Sequence, residues 1–531
     1  MPSHRVSAMQ NQTLIGAGLF VFGLWFAYEI GRKIAVGDLN TLAFVTFGFA
    51  GCVVAVTILR NWRSGFYLFL AWLLFEDLVR KYMGNNMALF FGKDVLALLT
   101  YISLFAAVRA GREKSFRPKF VLFLAIFMWL GLIQVFNQNS PSVLYGFLGF
   151  KIYFFYVPMM YVGYALIRND EDLRKFVVVN AVLAGVISIL GIIQAVVGHT
   201  FLNPPVLAPE LRDLGELDRY SPLTNQILSL PTAVFVSSGR FANYLILATI
   251  LMIGSLGYLL LSTRRSRKLV FAVTAIVVGA LVFSGSRGAI VYGAASALIM
   301  AVGFLWGAPW RWRQAHRLVK SIRRTLVGAA LGLAVVFLIF PTEIGSRIAF
   351  YRETLSPGSS AYEVNNRVWD YPISNLTLAL TNPNWIVGNG TGLASLGAQY
   401  VAKFLHERPP QMWVEEGYGQ LIIEMGIIAP FLWILWTAAL LYYMWHALLR
   451  LRQTRVFPFA FGIFWYSFLL LYPFTYGGIA GYQNYVSNAY FWLLVGIFFA
   501  LPEVLATPVV PAVGLGPSKA RRRTSVLGDW Q

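Results

Sequence analysis

The stretch LVFSGSRGAIVYG (Leu281–Gly293) interrupts an apolar run with four small residues and one arginine. Read straight through, residues 269–307 form one continuous apolar segment. Read as broken at SGSRG, they form two membrane crossings, about 269–284 and 288–307. The choice sets the orientation of everything that follows, and the Lys and Arg distribution makes it. With the N-terminus inside and the run split, the predicted cytoplasmic segments hold 28 of the 43 Lys and Arg. They contribute one (Arg5), two (60–63), five (109–119), three (168–175), four (264–268), six (311–324), three (450–455) and four (519–523). Every second loop is basic without a skipped beat, as cytoplasmic loops are. Without the split the alternation fails.

The rest of the chain agrees. Of 531 residues, 58% are hydrophobic and 12% charged, against roughly 25% charged in soluble domains. Uncharged runs recur near the ~20 residues that cross a bilayer. The pattern predicts an all-α polytopic membrane protein of about fourteen spans: 13–30, 40–59, 64–79, 92–108, 120–137, 143–167, 176–197, 241–262, 269–284, 288–307, 325–341, 417–445, 458–476 and 487–503. The net charge of +20 does not indicate nucleic acid, because the basic residues sit in short blocks between apolar runs. The run Thr13–Ile30 has no small-residue cleavage site after it and reads as a retained first helix. The single cysteine, Cys52, excludes an internal disulfide.

The membrane domain is expected over 1–503, with a flexible cytoplasmic tail at 504–531 that is rich in Pro and Ala and carries KARRR at 519–523. Two large loops fall on the outer side, about 198–240 and 342–416. Loops of that length are usually functional or disordered. The second carries Trp, Tyr and carboxylates and is expected to be partly helical, with short helices over the membrane. No internal repeat of the transporter kind is evident.

Charges outside the cytoplasmic segments are the informative ones. Arg80 and Lys81 close the third span in FEDLVRKYMG, Lys93 opens the fourth, and Lys151 lies about 12 Å into the sixth at 1.5 Å per residue. Arg212, Arg219 and Arg240 belong to the first outer loop, and Arg367 to the second. An ionisable group at depth is costly unless it is paired or faces a wet cavity. Snorkelling to the interface is the alternative for those near helix ends, and Glu76 and Asp77 are possible ion-pair partners. For Arg287, the preceding 16-residue run is about 24 Å of helix against a core of about 30 Å, which places the break near the outer interface. Irregular backbone there is tolerated inside protein or along a wet cavity. Gly285 and Gly288 permit a tight turn, Ser286 can cap the next helix, and a guanidinium beside free N–H groups suits phosphate. An ordinary outward turn with a surface arginine is the plain alternative.

Glu415 and Glu416 stand where the chain returns to the membrane in MWVEEGYGQLIIEMG. They suit either a general base or a helix N-terminus. His199 and His406 are the outer histidines and are further base candidates. GNGTG (Gly388–Gly392) lacks a surrounding strand–helix unit and reads as a tight turn, not a phosphate loop. The sequons at Asn375 and Asn389 are short enough to arise by chance. No metal-ligand cluster is visible.

In this order and spacing, FSGSRGAIVYG, NNRVWDYPISNL, NWIVGNGTG and EEGYGQLIIEMGIIAPFLWIL resemble the O-antigen polymerase and O-antigen ligase superfamily of bacterial envelope proteins. FEDLVRKYMG…FFGKDVLALL and YGFLGFKIYFF are similar to early-span motifs of its exopolysaccharide-polymerase members. The resemblance runs from about 64 to 500. It implies a GT-C-like inverting glycosyltransferase needing no metal or other cofactor, in the bacterial inner membrane with both termini cytoplasmic. Donor and acceptor would be glycans on undecaprenyl pyrophosphate at the periplasmic face, with a chain-length regulator as a further partner. Arg287 takes the family's pyrophosphate-holding role, with Arg240, Arg80, Lys81, Lys151 and Arg367 as further candidates. Ligases carry a His-Asn pair where Glu415 and Glu416 stand here, which favours a polymerase and raises both glutamates, with His406 next, as base candidates. Trp369 and Tyr418 are candidates for stacking on sugars or for anchoring at the interface. An O-antigen ligase is the alternative within the class. A lipid-linked oligosaccharide flippase is the alternative outside it.

Overall fold

A computed structural model of the chain describes residues 39–208, 227–262, 266–309, 337–395, 397–408 and 417–506, with short pieces before and between them. Its helices follow the uncharged runs, and polar residues start them. Helix α1 covers Leu39–Arg60 and α2 covers Trp62–Tyr82, capped by Asn61. Helix α3 (Met87–Arg109) is capped by Asn86 and α5 (Val143–Phe154) by Ser142. Between them lies α4 (Val121–Val135). Helix α7 (Asp170–Val197) has Asn169 as cap and Asp170, Glu171 and Asp172 in its first turn, where carboxylates offset the helix dipole. Among the described residues, eight helical stretches are long and apolar enough to cross a membrane, which makes this a helical membrane protein.

Several expected spans are broken. The 143–167 span is α5 followed by α6 (Met159–Leu166), divided just before Pro158, which fits the loss of a backbone donor there. The 417–445 span is α14 (Gly417–Met425) and α15 (Ile428–Arg450), divided at Gly426. Gly426 has φ +82°, and a Cβ there would lie 2.3 Å from the Ile386 carbonyl oxygen, so only glycine fits. The 458–476 span is α16 (Phe457–Leu469) continued by a π-turn, Leu470–Phe474, that contains Pro473. The expected spans at 40–59, 64–79, 120–137 and 269–284 are helical but do not count among the eight. Those at 13–30 and 325–341 lie largely outside the described residues, as does the tail from 507.

The expected split at SGSRG is present. Helix α8 spans Ser238–Ser262, α9 spans Arg267–Phe283 and α10 spans Arg287–Gly307. Gly285 takes φ +69°, and the Ser286 side chain accepts from the Ala289 amide at 3.3 Å.

One departure from an all-α chain is a small antiparallel ribbon in the 198–240 loop, β1 (Asp218–Tyr220) on β2 (Ile227–Ser229). The 342–416 region carries α11 (Pro341–Leu355), a π-turn at Asn366–Asp370, α12 (Tyr371–Thr381) and α13 (Ala398–Leu405). The last helix, α17 (Tyr485–Ala506), crosses α6 so closely that glycine is required on both sides. A Cβ on Gly496 would sit 1.9 Å from the Met160 carbonyl oxygen, and one on Gly163 would sit 2.0 Å from that of Leu493. Small residues let membrane helices approach backbone to backbone in this way. Beside this crossing, Trp433, Trp436 and Trp492 are fully buried, with Trp436 and Trp492 stacked at 5.8 Å.

Candidate functional site

Four cations and three carboxylates meet where α2 ends and α3 and α8 begin. The α2 sequence EDLVRK places Glu76, Asp77 and Arg80 within one turn, at the i, i+3 and i+4 spacings that face each other. Arg80 Nη2 donates to Asp77 at 2.5 Å, and its Nε lies 3.6 Å from Glu76. Arg240, in the first turn of α8, donates to both Asp77 oxygens at 2.9 and 3.2 Å. From α3, Lys93 lies 3.5 Å from Glu76. From α5, Lys151 lies 2.5 Å from Asp94. Aromatic rings line the group. Phe90 sits under Lys93, Lys151 and Arg80, and Tyr485 under Lys93 and Arg240. Glu76, Asp77 and Arg80 are fully buried, and Arg80 Nη1 has no hydrogen-bond partner among the described residues. Cations therefore outnumber carboxylates in a desolvated place, where each interaction with an anion is strengthened.

Lys81 belongs to this group in sequence but has another task. Its ammonium donates to Asn203 Oδ1 at 2.9 Å, Thr232 Oγ1 at 3.3 Å and the Ala233 carbonyl at 3.0 Å. All three N–H groups are used, so Lys81 pins the 198–240 loop to α2 and has no N–H left for a phosphate.

A cleft of about 340 Å³ is lined by Asn243, one helical turn along α8 from Arg240. Ser286 and Gly288 of the SGSRG break also line it, with Gln420 of α14 and Gln483 ahead of α17. Gln420 Nε2 donates to Gln483 Oε1 at 3.3 Å. Gln483 is two residues from Tyr485, the ring under Lys93 and Arg240. Below Gln420 on the same helix, buried Glu424 accepts from Tyr153 Oη at 2.9 Å and from the Ala394 amide at 3.1 Å.

Arg287 turns away from that group. Its Nη1 lies 2.6 Å from Glu363 Oε2, and its guanidinium stands 5.2 Å from the Phe350 ring centre. The Arg287 guanidinium in close contact holds the Glu363 carboxyl below its ordinary range against the opposing cost of burial, and the charges of Arg367 and Arg219 add to the effect. Arg287 and Arg367, distant in sequence, are thus brought to one carboxylate. Arg367 also stacks on Tyr371 at 4.9 Å.

The remaining candidates are scattered. Glu415 and Glu416 lie outside the described residues. His406 is exposed at the end of α13 with φ +58° and does not line the cleft. His199 bridges Asp218 and Ser229, both at 2.9 Å, and so braces the β-ribbon. Trp369 is exposed and Tyr418 half-buried against the core. The GNGTG turn directs its amides inward: Asn389 N donates to the Ile423 carbonyl at 2.8 Å and Gly390 N to that of Glu424 at 3.0 Å. It therefore clamps α14. Sequence reasoning passed over Asp94, Glu363, Gln420, Glu424 and Gln483. For Glu424 the signal was a lone carboxylate in the apolar run LIIEMG. For the two glutamines there was none. No protein-family model, curated protein or solved structure matches the chain.

Proposed function

We propose that the protein is a membrane glycosyltransferase of the polysaccharide-polymerase kind, joining repeat units carried on a polyprenyl pyrophosphate at the outer face of the bacterial inner membrane. One observation carries this reading: a cleft of about 340 Å³ with Asn243, Gln420 and Gln483 in its wall lies one helical turn from Arg240 of a buried group in which cations exceed carboxylates. In the reaction, an acceptor hydroxyl attacks the anomeric carbon and its proton passes to a base. The bond from that carbon to the phosphate oxygen breaks, and its electron pair leaves with the lipid pyrophosphate. The configuration inverts. Negative charge grows on the leaving group, and preorganised cations stabilise it most where water is excluded. Arg80 with its unpaired Nη1, Arg240, Lys93 and Lys151 serve on one side, Arg287 and Arg367 on the other. The amides of Gln420 and Gln483 suit sugar hydroxyls. Glu415 and Glu416 keep the base role that their position suggested. Ionised Glu363, held by Arg287, suits a counter-ion that an incoming pyrophosphate displaces.

The test is the product profile of a deletion strain complemented with Arg287→Ala. A polymerase leaves single lipid-linked repeats, with protein amount unchanged. Lipid-linked polymer that never reaches its acceptor would instead indicate a ligase, and repeats trapped on the cytoplasmic face a flippase. Normal polymer in the variant removes Arg287 from the mechanism.

A further inference from the structure

Residues 342–416 read as a water-side loop, yet between Asp370 and Lys403 there is no charged side chain. Helix α12, near the start of that stretch, buries only Pro372 and Ala379. Ala379 packs on Ile422 and Ile423 of α14. Its other faces are open and apolar: Ile373 is 57% exposed, Leu378 55%, and the following Ile386 60%. Contiguous apolar surface of this extent is rare on a water-facing protein. We propose that the segment from Val368 to Val387 lies in the membrane leaflet on the cleft side, with lipid acyl chains as its partner.

Two further observations favour lipid over water or protein. First, the polar side chains of α12 bond to their own helix. Ser374 Oγ and Asn375 Nδ2 donate to the Tyr371 carbonyl at 3.0 and 2.9 Å, Thr377 Oγ1 to that of Ile373 at 2.9 Å, and Thr381 Oγ1 to that of Leu378 at 2.8 Å. The three hydroxyls and one Asn375 N–H are thus satisfied within the helix, which lowers the cost of placing it in hydrocarbon. Second, the segment continues membrane-facing surface on both flanks. Gln134 at the end of α4 donates to the Val387 carbonyl at 2.7 Å, beside Ile133 and Phe136, which point outward. On the other flank the Ile427 amide donates to the Ile386 carbonyl at 3.3 Å, next to exposed Ile428 and Phe431 of α15. Helix α12 is about 16 Å long, enough to lie flat at the ~5–10 Å depth of interfacial helices. Arg367, Trp369 and Asp370 mark the end where the chain meets the headgroups.

The segment also reaches the cleft. Tyr476 donates to the Val368 carbonyl at 2.8 Å, and neighbouring Phe474 and Gly477 line the cavity. The embedding rests on surface chemistry alone and stands whether or not the protein transfers sugars.

The experiment uses the full chain in liposomes of phosphatidylethanolamine and phosphatidylglycerol. Exposed Cys52 is removed (Cys52→Ala), and an environment-sensitive fluorophore is attached at Leu378→Cys, at Ile373→Cys, or at Ser360→Cys as the exposed loop control. The inference expects blue-shifted emission at 378 and 373, quenching by nitroxide-labelled lipid several-fold stronger than at 360, and little quenching by aqueous iodide. Strong iodide quenching at both positions overturns it in favour of water. Protection from both quenchers overturns it in favour of a protein contact, a second copy included.

Discussion

Replacing Asp77 with asparagine should unfold the charged group from its centre. Asp77 is fully buried and accepts from Arg80 at 2.5 Å, from Arg240 at 2.9 and 3.2 Å and from the Val236 amide at 3.3 Å. Asparagine keeps the shape and an acceptor for Val236 but removes the charge. Arg80 is then left with Glu76 at 3.6 Å, and Arg240 has no other carboxylate partner among the described residues. Breaking a buried pair by removing one member costs about 3–5 kcal/mol, because the other charge stays desolvated. That is roughly two to nearly four powers of ten in the folded-to-unfolded ratio. Glu363→Gln provides the contrast. Its pair with Arg287 is partly open, with the Glu363 side chain 37% exposed, and such pairs contribute about 0.2–1 kcal/mol. The assay is the monodisperse fraction remaining after heating in detergent, read by size-exclusion chromatography of a fluorescently tagged full chain. Asp77→Asn should fall at distinctly lower temperature than Glu363→Gln, and adding Arg240→Met should recover part of the loss by removing the orphaned charge. If the Asp77→Asn curve coincides with that of Glu363→Gln, the group is hydrated and the argument from desolvation fails.

Other outcomes follow from single contacts. Arg287→Lys should support only part of the polymer made by the wild type, because an ammonium lacks the guanidinium fork; full synthesis would show that charge alone suffices. Because Arg287 lowers the Glu363 pKa, that pair stabilises the fold above the ordinary glutamate value of about 4.3 and is lost as pH falls through the depressed value. The stability gap between wild type and Glu363→Gln should therefore be constant near neutrality and close only in acid; a gap that closes near pH 6 contradicts the lowered value. Gly496→Val should prevent recovery of monodisperse protein, since its Cβ meets the Met160 carbonyl oxygen at 1.9 Å and overpacking of this kind costs about 1–3 kcal/mol or more. Lys81→Met should speed proteolysis within 198–240 while sparing the other loops, because it removes the three hydrogen bonds by which Lys81 ties that loop to α2.

What the sequence disclosed depended on whether the cause was local. Asn61, Asn86 and Asn169 start helices with their own side chains, and Gly285 turns the chain by its own φ. Such features are readable in a short window. Helix breaks at Pro158 and Gly426 were harder, because an apolar run continues through both. Gly426 is required by Ile386, a residue far along the chain. Burial of Arg80 and partial burial of Lys151 and Arg240 could be suspected from their place in apolar runs, but not that Arg80 and Arg240 share Asp77 while Lys151 takes Asp94. Lys81 shows the limit most plainly. It adjoins Arg80 in sequence, yet the helix turns it by about 100°, toward acceptors in a loop more than a hundred residues away.

The same distinction explains SGSRG. Its two serines and two glycines act on neighbouring backbone, so the break, the cap and the new helix start follow from the motif itself. They place Ser286 and Gly288 on the wall of the cleft. The arginine acts at the length of its side chain, about 6–7 Å beyond the backbone by its covalent reach, and what it meets is chosen by the 342–416 region, through Glu363 and Phe350. Two consequences can be separated. A change in the backbone of the motif, such as Gly285→Val at φ +69° with Leu230 2.2 Å from the added Cβ, should deform the cleft and lower protein yield. A change in the arginine should leave yield intact and alter only what the side chain holds. If Gly285→Val is produced normally while Arg287→Ala is not, then the arginine is the structural element of the motif and the cleft reading inverts.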